Sequence, residues 1–115
     1  MSSSGARKRL EDIRENIVLA RQFIGTKTFE AFADDTQAIY AVTRALEIIS
    51  EASRHLDDAI KQRHSGIDWI SVRDAGNVYR HGYELVTEHR IWDTVHNHLG
   101  KLESAVLAEL RAFGN

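Results

Sequence analysis

The sequence predicts an all-α fold, a four-helix bundle, on three observations. The 115 residues contain no proline, where average usage of about 5% would give roughly six. Proline lacks the amide donor a helix interior needs, and its ring clashes with the preceding turn. Apolar residues recur at intervals of three and four, the period of a helix with one buried face. Hydrophobic residues make up 43% of the chain, enough for a compact core and too much for a disordered tail. At this length the expectation is one domain spanning 1–115.

The first helix is expected from about Ala6 to Phe23. Leu10, Ile13, Ile17 and Ile24 form its stripe, Ala20 and Arg21 fill the gap, and Gly25 stops it. The residues before it are expected to fray. A short stretch with Phe29 and Phe32 follows. Asp34 or Asp35 caps a long second helix, whose apolar positions run from Ala38 through Val42, Leu46, Ile49 and Leu56 to Ile60. His64-Ser65-Gly66 ends it. Asp68 caps a third helix from Trp69 to about His81, with Gly82 at its exit. Thr87 caps a fourth, with Ile91, Val95, Leu99, Leu102, Val106, Leu110 and Phe113 inward. Gly100 interrupts this last helix at a cost of about 1 kcal/mol relative to Ala.

Fifteen basic residues against 17 acidic give a formal charge of −2. That balance argues against a broad non-specific nucleic-acid binder and leaves room for a local basic site. There is no cysteine, which removes disulfides and thiolate chemistry. No apolar run approaches the roughly 18 residues of a membrane span. Met1-Ser2-Ser3-Ser4-Gly5 carries no apolar leader, so a cytoplasmic location is the expectation.

The third helix carries the distinctive pattern. With Arg73 at zero and about 100° per residue, Asn77 falls near 40°, His81 near 80° and Arg80 near −20°. Val72, Ala75, Val78 and Tyr79 fall on the other side. Arg73 and Arg80 are two turns apart, about 10 Å along the axis. Arg forks grip phosphate oxygens, and His moves a proton near neutral pH, so such a face suits a phosphodiester. The plainer reading is a solvated helix face.

The run Arg73-Asp74-Ala75-Gly76-Asn77-Val78-Tyr79-Arg80-His81-Gly82-Tyr83, followed by Ile91-Trp92, resembles the HepT-like branch of the HEPN superfamily. Arg44-Ala45-Leu46-Glu47-Ile48-Ile49-Ser50-Glu51-Ala52-Ser53 is similar to that family's second-helix signature, and Ile67-Asp68-Trp69 to its lead into the third helix. The likeness runs from about Asp35 to Leu110. It implies a four-helix bundle that dimerises, and a metal-independent endoribonuclease with its site in a cleft at the dimer interface. The implied partner is an MNT-type nucleotidyltransferase, the antitoxin of a toxin–antitoxin pair. The family signature is an Arg, four to six residues, then His-x-Tyr. His81 and Tyr83 match its last two members, and the resemblance makes Tyr83 the acceptor of AMP from the antitoxin.

The sequence departs from this signature at the Arg. The expected positions are Asp74, Ala75 and Gly76, none of them basic. Arg73, one turn before Gly76, and Arg80, on the same face as His81, are the candidates for the guanidinium. Ser50 stands where the family pattern has Gly.

The remaining polar residues have structural readings beside functional ones. Glu47 and Glu51 share a face one turn apart. They are read as salt-bridge partners of Arg73 or Arg80, with Glu51 orienting the Arg, rather than as paired acids. His96 and His98 point about 200° apart on a helix, and His89 is two turns from His96, so no metal site is expected. Trp69 and Trp92 could stack on bases but fit a small core or an interface. Arg7-Lys8-Arg9 reads as a solvated start. No cofactor is implied.

The sequence therefore points to a toxin ribonuclease in which His81 transfers protons and Arg73 or Arg80 stabilises charge, supported by Glu51 and Asn77. The alternative is a catalytically inactive HEPN protein that binds nucleotide, RNA or the nucleotidyltransferase.

Overall fold

The computed structural model describes residues 3–74 and 84–114. Among the described residues every regular element is helical, as the missing proline implies. Helix α1 spans Ser3–Ile24. It starts earlier than the apolar stripe marks, so Ser3 and Ser4 are helical where fraying was expected. It ends where expected, with Gly25 at φ +59° and its amide on the Arg21 carbonyl at 2.8 Å. Glycine tolerates this left-handed conformation without the Cβ penalty.

The aromatic stretch becomes a one-turn helix, α2, Phe29–Ala33, whose Thr28 cap accepts from the Ala31 amide at 3.1 Å. Asp35 caps α3, Thr36–Arg54, and accepts from the Ala38 amide at 3.0 Å. The expected long second helix does not continue to Ile60. The chain turns at His55–Asp57 and restarts as α4, Asp58–Arg63. Ser53 favours the break: its hydroxyl donates to the Ser50 carbonyl at 2.7 Å, offering the last turn a non-helical partner. The His55 and Leu56 amides then close three-residue turns onto Ala52 and Ser53. Leu56 and Ile60 both stay buried across the turn, so their spacing gave no sign of it.

Residues 69–74 form α5 up to the edge of the described residues. Asp68 caps it as expected, accepting from the Ser71 amide at 3.1 Å and the Ser71 hydroxyl at 2.8 Å. The exit at Gly82 lies outside the described residues. The fourth helix is already helical at Glu84, so Thr87 lies within α6, Glu84–Asp93, and is not its cap. The Thr87 hydroxyl is buried with no hydrogen-bond partner among the described residues. A π turn over Thr94–His98 joins α6 to α7, Leu99–Gly114. Gly100 therefore does not interrupt the helix; the irregularity precedes it.

The core forms around α1, which packs on α3 and α7. Leu10, Ile13, Ile17 and Ala20 are fully buried, facing a cluster that includes Val42, Leu46 and Ile49 of α3 and Leu102 and Val106 of α7. Phe32 and Ile91 close it from α2 and α6, also without exposure. Ile17→Ala is expected to cost about 2–5 kcal/mol, because the cavity adds to the lost transfer energy. Val18→Ala, one residue on and 40% exposed, should stay within about 0.5 kcal/mol of the parent. Urea unfolding of both variants measures the contrast.

Candidate functional site

Arg73 sits in the last described turn of α5, with its side chain half-exposed. Its Nε donates to Asp74 Oδ1 at 3.0 Å. This bond raises the Arg73 pKa above the ordinary guanidinium value and holds the Asp74 carboxyl below the usual carboxylate range. The guanidinium is thus charged, accessible and steered by its neighbour. Asn77, Arg80, His81 and Tyr83 lie outside the described residues.

Glu51 does not reach Arg73. It bonds the ring of His55, one turn on, with His55 Nε2 and Glu51 Oε2 2.9 Å apart. That bond is the main reason its pKa falls below the ordinary glutamate value. Glu47 pairs at 3.6 Å with Arg44 on its own helix. Among the described residues both carboxylates thus bond within α3, since residues three and four apart meet on a helix surface; Arg80, the other expected partner, lies outside them.

The link between α3 and α5 is instead Ser50. Its hydroxyl donates to the Arg73 carbonyl, and the side chain is buried. A Gly at this position could not make the bond. The sequence signal was Ser in place of Gly, which identifies the position without revealing the partner.

A second tether holds the start of the same segment. Glu109 of α7 accepts from Arg63 Nε at 3.0 Å and Arg63 Nη2 at 2.7 Å, a two-pronged geometry. His64 Nε2 lies 2.7 Å from Oε2, the oxygen that also accepts from Arg63 Nε. The Glu109 side chain is only 9% exposed. Arg63 is the main cause of its lowered pKa, with His64 adding and burial opposing. The Trp69 indole donates to the His64 carbonyl at 3.1 Å, so this tryptophan is engaged in packing the turn.

Trp92 is likewise engaged, edge-on to Phe29 and tilted against Phe32, each at 5.7 Å between centroids. His96 covers it at 4.1 Å, and His89 stacks on Phe29 at 4.0 Å. His98 bonds Asp93, so the three histidines have separate partners. Among the described residues no cluster of three or more His, Asp or Glu could hold a metal ion. Nor is any described helix long and apolar enough to cross a membrane. Arg7 and Lys8 pair with Glu11 and Asp12 along α1, the solvated arrangement expected of them.

Residues 13–108 match the model of the HepT-like family, described as Ribonuclease HepT-like. The chain is 36% identical over 94 residues to the "Probable ribonuclease HepT" of Thermococcus cleftensis, covering 82% of this chain and 86% of that protein. A protein of Methanocaldococcus jannaschii, provisionally named an RNase, is 27% identical over 106 residues, 92% of this chain and 97% of its own. Another so named, from Caldanaerobacter subterraneus, is 32% identical over 79 residues, 69% and 70% of the two chains. No solved structure gives a significant match.

The Glu109 tether has a pH signature. Its folded pKa is depressed below the ordinary 4.5, so its stabilisation is present above the unfolded value and is lost as pH falls through the folded one. Glu109→Gln should lower stability at neutral pH by about 1–3 kcal/mol. The gap from the parent should narrow once pH drops below about 4.5. Urea midpoints across an acid pH series test this; a constant gap would contradict it.

Proposed function

The chain belongs to the HepT-like ribonuclease family, and from that membership we propose that it is a toxin endoribonuclease cleaving RNA without a metal ion. The observation that carries this reading is the family match over residues 13–108, which runs through the whole Arg73–Tyr83 segment. The exposed, charged guanidinium of Arg73 at the head of that segment supports it.

The chemistry is transfer within the RNA backbone. The 2′-oxygen bonds to the adjacent phosphorus as the bond to the 5′-oxygen breaks, leaving a 2′,3′-cyclic phosphate and a 5′-hydroxyl. His81 takes the 2′ proton, and a second His81, from the other subunit of a homodimer, returns one to the leaving oxygen. Arg73 or Arg80 stabilises the added negative charge, and the sequence spacing assigns Asn77 to the same helical face as a supporting residue. Glu51 supports α3 through His55. The unit is one cytoplasmic domain spanning 1–115.

Its partner in this reading is an MNT-type nucleotidyltransferase antitoxin. The Tyr83 oxygen attacks the α-phosphorus of ATP, pyrophosphate leaves, and the phenol proton is lost. The attached AMP places a negative phosphodiester and a nucleoside beside Arg73, Arg80 and His81, competing with RNA. The second reading, an inactive HEPN protein binding RNA, nucleotide or the partner, is favoured by Arg73 being engaged by Asp74 and by the shifted Arg spacing.

RNA cleavage by the purified chain, with chelator present, separates the two readings. His81→Ala should lose about 10²–10⁴ in rate with the fold intact; unchanged cleavage refutes the assignment. Incubation with the nucleotidyltransferase and ATP should add AMP mass at Tyr83 and silence cleavage, and Tyr83→Phe should escape both. A Tyr83→Phe variant still modified and silenced would refute the switch.

A further inference from the structure

A cleft of about 670 Å³ opens between α5 on one side and α6, the π turn and α7 on the other. Its size is in the range of sites that enclose small ligands. The floor is apolar, made by the part-exposed Val72 and the exposed Ile70 of α5 over the nearly buried Leu46 and Ile49 of α3 and Leu99 and Leu102 of α7. The far wall is polar, with Arg90, Asn97, His98 and Lys101 along one side.

Three carboxylates also line the cleft, and each is engaged. Asp68 accepts from the Ser71 amide and hydroxyl. Asp74 is bound by Arg73. Asp93, on the polar wall itself, is bonded by Asn97 at 2.7 Å and by His98 at 3.0 Å. The π turn makes the second of these possible. A residue five positions on comes into register only where the helix widens to the π repeat, and such turns are frequent at functional sites. Arg90 and Lys101, by contrast, are exposed and have no ion pair among the described residues. The wall thus offers two cations uncommitted among the described residues over an apolar floor, a complement to a chain of phosphates with attached rings.

We propose that this cleft, which Asp74 next to Arg73 helps to line, is a subsite for single-stranded RNA, with Arg90 and Lys101 on backbone phosphates and one base seated on the floor. The proposal rests on the ribonuclease reading for its ligand, but its residues are separate from the motif. Arg90 and Lys101 are eleven positions apart, about 16 Å along a helical rod, so they meet different phosphates of one strand. The base seats by excluding water from Val72 and Ile70 on that floor, a contact tolerant of base identity.

The test is binding of a short fluorescein-labelled oligouridylate to the full chain, read by anisotropy over a salt series. All proteins carry His81→Ala so that the probe survives. Adding Arg90→Ala and Lys101→Ala should weaken binding about tenfold or more at moderate salt. The log K against log salt slope should fall by about 1.4, or roughly 0.7 for each lost phosphate. Arg14→Ala with Arg111→Ala, an equal charge change at exposed positions elsewhere, should stay within about twofold. Val72→Phe fills the floor without changing charge, and should weaken binding at an unchanged slope while circular dichroism stays that of the parent.

Parent-like affinity and slope in the Arg90/Lys101 variant would overturn the subsite alone, leaving the ribonuclease reading in place. Equal weakening in the Arg14/Arg111 control would reduce the effect to bulk charge and overturn it too. Intact RNA binding combined with a change in oligomeric mass would assign the cleft to a second copy of the chain. A protein that binds no RNA before any cleft substitution would overturn the subsite and the RNA reading together.

Discussion

Everything else in the fold depends on the burial of one stripe of α1. Leu10, Ile13, Ile17 and Ala20 are fully enclosed, and Ile24 nearly so. They lie between α3 and α7, the two helices that α1 packs against. Each Leu or Ile side chain gains about 1.5–3 kcal/mol from leaving water. No other helix meets both partners along such a length. With α3 and α7 fixed on α1, the remaining surfaces of α3 and of the α6–α7 rod are left facing a cleft, and α5 forms its other wall.

This stripe is also why most of the architecture is legible in the sequence. A burial pattern repeated every three or four residues can be read without knowing what lies opposite. Local caps are equally readable, because Asp35 and Asp68 act on amides three residues away. The break after Arg54 was hidden for the converse reason. Leu56 and Ile60 keep helical spacing from Ala52, so the apolar pattern runs through the break, beside which the Ser53 hydroxyl donates to the Ser50 carbonyl. Glu51 shows the same limit among the described residues. Its family position suggested Arg73 or Arg80; it bonds His55 on the next turn and does not pair with Arg73, while Arg80 lies outside the described residues.

The polar contacts that matter for the site join residues far apart in the chain. Ser50 holds the carbonyl of Arg73 across 23 positions, and Glu109 holds Arg63 and His64 across 46 and 45. Periodicity carries no information about such pairs, since both partners merely look polar. Their common effect is mechanical. One fixes α5 to α3 where Arg73 sits, and the other fixes the turn that feeds α5 to the end of α7. In the proposed ribonuclease, a guanidinium offered to a phosphate needs a rigid base, because a loose one would lose orientation along with each bond it formed.

The π turn joins the packing argument to the chemical one. Ile91, Val95 and Leu99 are all buried and spaced by four. On a helix of 3.6 residues per turn each step of four drifts by about 40°, so two steps would carry Leu99 well off the inward line. Widening the helix over Thr94–His98 absorbs that drift and returns Leu99 to the core. The same widening brings His98 level with Asp93, five residues back, while Asn97 meets its other oxygen. The core's demand for three inward residues thus also occupies the acidic group on the cleft wall. What it leaves outward on either side are Arg90 and Lys101. The geometry that closes the core is therefore the geometry that sets the charge of the wall.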